Sequence, residues 1–484
     1  MLSMKQNAQT TEALTLDVLD KYPSVDTEHI DLMLRSEYQD FHKKIVVLDD
    51  DPTGIQTVHD VYVYTDWEES AINQAFTSKE DMFFLLTNSR SFFREQTIRV
   101  HTQIARRIGK TAVENGQGFF LISRGDSTLR GHYPLETEVL KDTLETDCHI
   151  PTDGEIICPF FKEGGRYTIN NIHYVKEGGF LIPAGNTEFS KDKTFGYTSS
   201  DLTEYVEEKS EGRFRKEDCI TISLEELRSL ELDNITDKLM SASGFAKIIV
   251  NAIDYIDIKI FCICLIRALR KGKNFIARSA AALPKVLGQI TDVPLLSKKD
   301  LIAGKEDKGG IVIIGSHVQK TTDQLNALLE SEKDLTFLEF NVNSYFQDGG
   351  LKAEVQRILD QAEALIRSNK TVIIYTSRRL LVPDTADKDE ILMASVHISD
   401  ALTSIIRFLT VKPRFIIAKG GITSSDVGTK GLQVKKALVM GQIKKGIPVW
   451  LTGDESKFPN TPYIIFPGNV GEVNTLRDIV EEIC

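Results

Sequence analysis

Long apolar runs are missing from this 484-residue chain, and the most hydrophobic window, Ile256 to Leu269, is interrupted by Asp257, Lys259 and Arg267. No basic stretch followed by an apolar one opens the sequence, so neither a membrane span nor a secretory leader is expected. Cysteine is scarce. The six cysteines, Cys148, Cys158, Cys219, Cys262, Cys264 and Cys484, show neither metal-ligand nor disulfide-framework spacing, which fits a reducing cytoplasm. No block of Lys and Arg is present, and 70 acidic against 58 basic residues give a formal charge of −12. Phosphate-backbone affinity rests on clustered cations, so a nucleic-acid partner is not expected. The standard nucleotide fingerprints G-x-x-x-x-G-K-S/T and G-x-G-x-x-G leading from a strand into a helix are absent, as is the G-x-S-x-G nucleophile elbow. Short-period repeats and low-complexity tracts are lacking too.

What is present is ordinary globular composition, 41% hydrophobic and 26% charged, in a chain too long for one core. Residues 1–42 are polar, with leucines and isoleucines spaced for short amphipathic helices, and read as an N-terminal arm. Apolar strands then alternate with helical stretches: Ile45–Leu48, Phe83–Thr87, Gly118–Ser123 and Glu155–Cys158 read as buried strands, with helices near Glu95–Asn115 and Pro134–Asp147. Glu163–Asp201 reads as one long irregular segment. Strands follow at Cys219–Ser223, Lys247–Asn251 and Asn274–Ala277, completing a first domain over 43–289. A polar break across 290–308 reads as a linker. A second series over 309–484 contains strands at Ile311–Ile314, Leu335–Phe340, Val372–Tyr375, Phe415–Ala418, Pro448–Trp450 and Tyr463–Phe466, with Gly431–Met440 read as a helix. The expected fold class is α/β: two domains, each a mostly parallel sheet flanked by helices, with the active site in the cleft between them.

Candidate chemistry sits where apolar strands end, the place where open α/β sheets bind ligands. The run Ile45-Val46-Val47-Leu48 empties into Asp49-Asp50-Asp51-Pro52-Thr53-Gly54. Carboxylates there can accept hydrogen bonds from substrate hydroxyls, bind Mg²⁺ or act as a base, although a capped turn with solvated acids has the same composition. After Phe119–Ile122 comes Ser123-Arg124-Gly125-Asp126-Ser127-Thr128-Leu129-Arg130-Gly131, which offers two guanidiniums, two flanking glycines and a helix N-terminus suited to an anion; a plain helix cap is the structural alternative. A third loop, Pro159 to Thr168, carries Arg166 behind Gly164-Gly165.

The second domain has a different vocabulary. Three of its strands run into Gly315-Ser316-His317, Lys419-Gly420-Gly421-Ile422-Thr423-Ser424 and Pro467-Gly468-Asn469-Val470-Gly471. Glycines let backbone N–H groups approach phosphate oxygens, and a following helix adds its partial positive charge. Tight turns without a ligand use the same residues singly, but three on one sheet point to a nucleotide.

Together these motifs resemble the four-carbon acid sugar kinase family over Lys43 to Thr475. Asp50, Asp51, Thr53 and Gly54 match its D-D-x-T-G turn. Asp126 through Gly131 match K-x-D-S-T-L-R-G with Arg124 in place of Lys, and Pro159, Gly165 and Arg166 match P-x-x-x-x-x-G-R. In the second domain Gly315-Ser316, Gly420 to Ser424 and Gly468 to Gly471 resemble the family's ATP loops. The resemblance implies ATP-dependent phosphorylation of the terminal hydroxyl of a tetronate or 3-oxo-tetronate, with ATP and Mg²⁺ as cofactors and no metal ligand assigned. It implies that Arg124, Arg130 and Arg166 hold the acid's carboxylate, that Asp50, Thr53, Gly54 and Ser127 complete the substrate side, and that Asp51 or Asp126 orients or deprotonates the accepting hydroxyl. ATP would lie against Ser316, Gly420, Gly421, Ile422, Thr423, Ser424, Gly468, Asn469 and Gly471. Two departures stand out: Ile422 replaces a glutamate, and Phe466-Pro467 replaces a lysine ahead of the last loop. They keep open a second reading, a non-catalytic sensor of sugar acid and nucleotide. The expected partner is a small-molecule acid, and the sequence leaves a homo-oligomer open.

Overall fold

The computed structural model describes residues 12–302, 308–347, 349–379 and 388–484. The first eleven residues of the expected arm and 303–307 of the expected linker lie outside the described residues. The chain folds into two units. The first holds the chain up to Gly54 together with Trp67–Phe83 and Thr87–Ile290; the second holds Ile55–Asp66, Phe84–Leu86 and the chain from Thr291 on.

The architecture is α/β, each unit resting on a mostly parallel sheet flanked by helices. In the first unit the strands Ile220–Ile222, Ala246–Val250, Gly154–Cys158, Phe275–Ser279, Gly118–Arg124 and Lys43–Asp49 lie side by side in that order, every pair parallel. The register sets Asp49 opposite Arg124 at the carboxyl edge, which is where both apolar runs give way to charge. The runs are buried on both faces, as unbroken aliphatic sequence requires in a parallel sheet. The N-terminal helix Thr27–Tyr38, capped by Asp26, buries Ile30 and Leu34 and ties Glu37 to Arg267 and Asp31 to Lys259 on the helix Tyr255–Arg270.

The stretch expected to be irregular is a small antiparallel sheet. Arg166–Ile169, Ile172–Glu177 and Phe180–Pro183 pair in sequence, with Leu14–Thr15 added at one edge. Asn170 and Asn171 both take positive φ between the first two strands, the conformation a tight two-residue hairpin needs. Tyr197, Tyr205 and Leu202 pack behind this sheet with Leu129 and Ile157.

In the second unit the strands run Val61–Tyr64, Lys436–Lys444, Ile447–Thr452, Pro462–Phe466, Ile416–Lys419, Ile311–Ile314, Thr371–Thr376 and Leu335–Phe340. The last five are parallel and the first three antiparallel. Lys436–Lys444 corrects the helix expected at Gly431–Met440. Ala437, Val439, Gly441 and Ile443 alternate inward with outward partners, a period of two that only a strand satisfies. Among the described residues no helix is long and apolar enough to cross a membrane.

Candidate functional site

At the carboxyl edge of the first sheet, the spacing Asp-x-Thr-Gly has a local cause. Asp51 Oδ1 accepts from the N–H of Thr53 at 2.8 Å and from its hydroxyl at 2.6 Å, closing the side-chain-to-backbone turn typical of Asp. Gly54 is obligatory because a Cβ there would land on the carboxylate of Asp49.

Arg90, on the short turn Ser89–Ser91, organises the acids. Its Nε and Nη2 donate to Asp50 at 3.1 and 2.7 Å, and its Nη1 to Asp51 at 3.2 Å. The three sequential acids thus have three environments. Asp49 is buried against Arg124 at 3.3 Å, and burial, opposed by Arg124, pushes its carboxyl up to about 7. Asp50 is buried too, its side chain 2% exposed, and burial raises it despite Arg90. Asp51 is the accessible one, with 24% of its side chain exposed.

Across from them, Asp126 accepts from Arg130 Nε at 2.7 Å and from the Thr128 hydroxyl. Burial works against this carboxylate, but Arg90 and Arg130 hold it well below the usual range. The guanidiniums of Arg130 and Arg166 lie 5.0 and 5.5 Å from the centre of one ring, Phe189, and Asp192 stands 4.0 Å from Arg130. Arg166 is pushed down by burial and has a buried Nε with no hydrogen-bond partner. Two cations share one ring there, and one of them keeps an unsatisfied donor, a chemistry able to pair with an added anion.

The structure therefore brings Asp50, Asp51, Thr53, Asp126, Arg130 and Arg166 together at this edge. Arg124 stands at the same edge, buried, with Nη1 3.3 Å from Asp49 and 3.9 Å from Asp50 and with an Nε that has no hydrogen-bond partner. Ser127 contributes its carbonyl, which accepts from the buried His173. Sequence reasoning missed Arg90, Phe189 and Arg278. Arg278 donates to Ser123 at 2.9 Å and to Glu136, and a Cβ at Gly125 or Gly131 would run into its guanidinium, so those glycines make room for a side chain of the protein. Arg90 was findable, since Thr87-Asn88-Ser89 follows an apolar strand just as the other motifs do; nothing in the sequence marks Phe189.

His173 is a pH-sensitive support of this loop. Its ring meets Ser127 O at 2.8 Å and Thr168 Oγ1 at 3.0 Å, and burial lowers it from 6.5 to about 4. A depressed folded value means stability that is complete above about pH 6.5 and lost as pH falls through about 4, worth about 3 kcal/mol. The difference in urea-unfolding free energy between pH 7 and pH 4 should shrink by about that amount in His173→Gln. An unchanged difference would remove His173 from the acid response.

In the second unit three loops converge. Gly420, at φ 126°, donates its N–H to Phe466 O at 2.8 Å, and a Cβ on it would crowd Ser316 and Thr423, each 3.0 Å away. Gly468 would place a Cβ 3.2 Å from Ser316 Oγ. Ser316, Gly420, Thr423 and Gly468 are thus within touching distance, and the helix Gly421–Asp426 starts from the same point. Gly421 faces open space, Asn469 is exposed, Ile422 is 72% exposed, and Gly471 turns the chain at φ 83°. Ser424 points inward: its hydroxyl donates to Ala418 O at 2.7 Å, and its carbonyl accepts from Tyr463. Two cations border the loops without an acidic partner among the described residues. Arg378 donates to Ser316 O and to Thr376, and Lys419 to Pro467 O and Gly468 O.

A Mg²⁺ ion would need free carboxylates from the chain. Asp49, Asp50, Asp51 and Asp126 each accept from a guanidinium, so these acids do not fit a protein-held ion.

Comparison with known proteins agrees with the division of chemistry. Residues 45–287 match a family model described as a sugar-binding N-terminal domain, and residues 311–476 one described as a nucleotide-binding C-terminal domain. Among solved structures, the chain is similar to a Salmonella typhimurium LT2 protein described as a candidate tRNA synthase, with 16% identity, 91% of this chain and 98% of that chain covered, and a TM-score of 0.64. It is also similar to a Haemophilus influenzae protein assigned to a domain family of unknown function, with 16% identity, 90% and 99% coverage, and a TM-score of 0.59. At that identity the likeness shows the fold. No curated protein matches the chain.

Proposed function

We propose, from the premise that the chain belongs to the four-carbon acid sugar kinase family, that it transfers the terminal phosphoryl group of ATP to the terminal hydroxyl of a four-carbon sugar acid. The observation that carries this reading is the guanidinium pair Arg130 and Arg166 on Phe189, beside the accessible carboxylate of Asp51. It supports a substrate that presents a carboxylate at one end and a hydroxyl at the other. The acid-free glycine loops of the second unit support a phosphorylated donor.

Phosphoryl transfer asks for positioning and charge neutralisation more than covalent chemistry. Arg130 and Arg166 bind the carboxylate, and Asp51 Oδ2 accepts the hydroxyl proton as the oxygen attacks the γ-phosphorus. The bond to the bridging oxygen breaks and ADP leaves. Asp126, held ionised by Arg90 and Arg130, is better suited to orient Arg130 than to take a proton. Mg²⁺ would travel with the ATP phosphates and add charge neutralisation there.

The test is ADP release in the presence of threonate, erythronate and 3-oxo-tetronates. At least one acid should stimulate it well above the rate with ATP alone. ATP binding with no stimulation by any acid would sink the kinase reading and leave a sensor.

A further inference from the structure

Lys419 is wholly buried at the end of the strand Ile416–Lys419, on the strand next to Pro462–Phe466 and in register with Phe466. A buried lysine ordinarily comes with a carboxylate. This one has none among the described residues. Its Nζ lies 3.9 Å from the centre of the Phe466 ring and donates to the carbonyl of Pro467 at 2.7 Å and that of Gly468 at 3.2 Å. The Thr321 hydroxyl also donates to Gly468 O, at 3.2 Å.

Those two carbonyls fix more than themselves. In a trans peptide the C=O and the next N–H point to opposite sides of one rigid plane. With both carbonyls drawn in to the ammonium, the N–H groups of Gly468 and Asn469 are turned away from it. Among the described residues neither N–H meets an acceptor. Gly468 is partly exposed and Asn469 exposed, so these donors are open to an added ligand, and successive outward N–H groups form a concave anion site. Ser316 Oγ stands 3.2 Å from where a Cβ on Gly468 would lie, so a hydroxyl flanks the same spot.

We infer that Lys419 is a positioning residue for the donor's phosphates, turning the Gly468 and Asn469 amides into a paired cradle for a phosphate oxygen while adding a positive charge beneath it. The inference rests on the proposed use of this unit for ATP. Burial, with Lys320 second, lowers the ammonium to about 7, a state an arriving anion would reverse.

Equilibrium binding to the full chain tests it without turnover. Lys419→Met keeps the length and loses the charge and donors. It should weaken ATP at least tenfold and leave adenosine within twofold, because adenosine lacks the group the cradle holds. Equal losses for both ligands, or none, would overturn the inference. A wild-type chain that binds no ATP would overturn the nucleotide reading as well, which separates the two failures. Should the variant not fold, the amide resonance of Gly468 in wild-type protein labelled with ¹⁵N-glycine decides the question. It should move on adding ATP or inorganic pyrophosphate and stay with adenosine; an unmoved resonance would overturn the assignment.

Discussion

Asp51→Asn is expected to lower kcat by about 10²- to 10⁴-fold, the span a positioned general base contributes, with the KM values for acid and ATP changed far less. The expectation rests on access. Asp50 and Asp49 are buried against Arg90 and Arg124, whereas Asp51, with Oδ1 on Thr53 and Oδ2 touched by Arg90 at 3.2 Å, keeps a quarter of its side chain open. Asparagine can still accept from the Thr53 amide and hydroxyl through its carbonyl oxygen, so the turn survives and the loss reports on chemistry. Asp126→Asn is the companion measurement. That carboxylate is held far below the ordinary range by Arg90 and Arg130, and its removal should act through Arg130, raising the KM for the acid more than it lowers kcat. If Asp126→Asn lost more kcat than Asp51→Asn, the roles would be exchanged.

The parts of this protein that were legible beforehand are those set by local pattern. Ile45–Leu48, Ile311–Ile314 and Tyr463–Phe466 are unbroken aliphatic or aromatic runs, and only a sheet covered on both faces buries such runs. Acids and arginines were legible on one sheet edge, and glycines on another, because charge and glycine stop strands. Lys436–Lys444 was misread because Lys-Lys-Ala-Leu-Val-Met suits a helix by composition, while its period of two shows only when it is followed through Ile443. The strand Val61–Tyr64 was missed for another reason. Val-Tyr-Val-Tyr has the β-branched and aromatic composition of a strand, but the run is only four residues long, and its partner Lys436–Lys444, some 375 residues away, is not given by local pattern. The site shows the same limit. The Asp51–Thr53 turn is local and was found; the ring of Phe189 under two guanidiniums, the Arg90 link between acids and the reach of Lys419 to the next strand are tertiary and were not.

That ring is why Arg130→Ala should be the most selective lesion at the acid site. Arg130 is partly exposed, with Nε on Asp126 and its guanidinium on Phe189, so it is held in place before any substrate arrives. A hydrogen bond to a charged group contributes about 1.5–3 kcal/mol, which corresponds to about 10- to 150-fold in affinity. Truncation also frees Asp126 to repel the incoming carboxylate, so the upper part of that range is expected for the KM of the acid, with the KM of ATP within twofold. An uncharged four-carbon polyol supplies the decisive control. It has the accepting hydroxyl but no carboxylate, so any turnover of it should be insensitive to Arg130→Ala, and the wild-type preference for acid over polyol should collapse by the same factor. Equal loss with both acceptors would mean that Arg130 supports the fold of the loop and that the carboxylate is bound by other groups. Arg166→Lys separates the two guanidiniums: a lysine keeps the charge but cannot present a planar fork, so a substantial part of the loss seen with Arg130→Ala should appear there too.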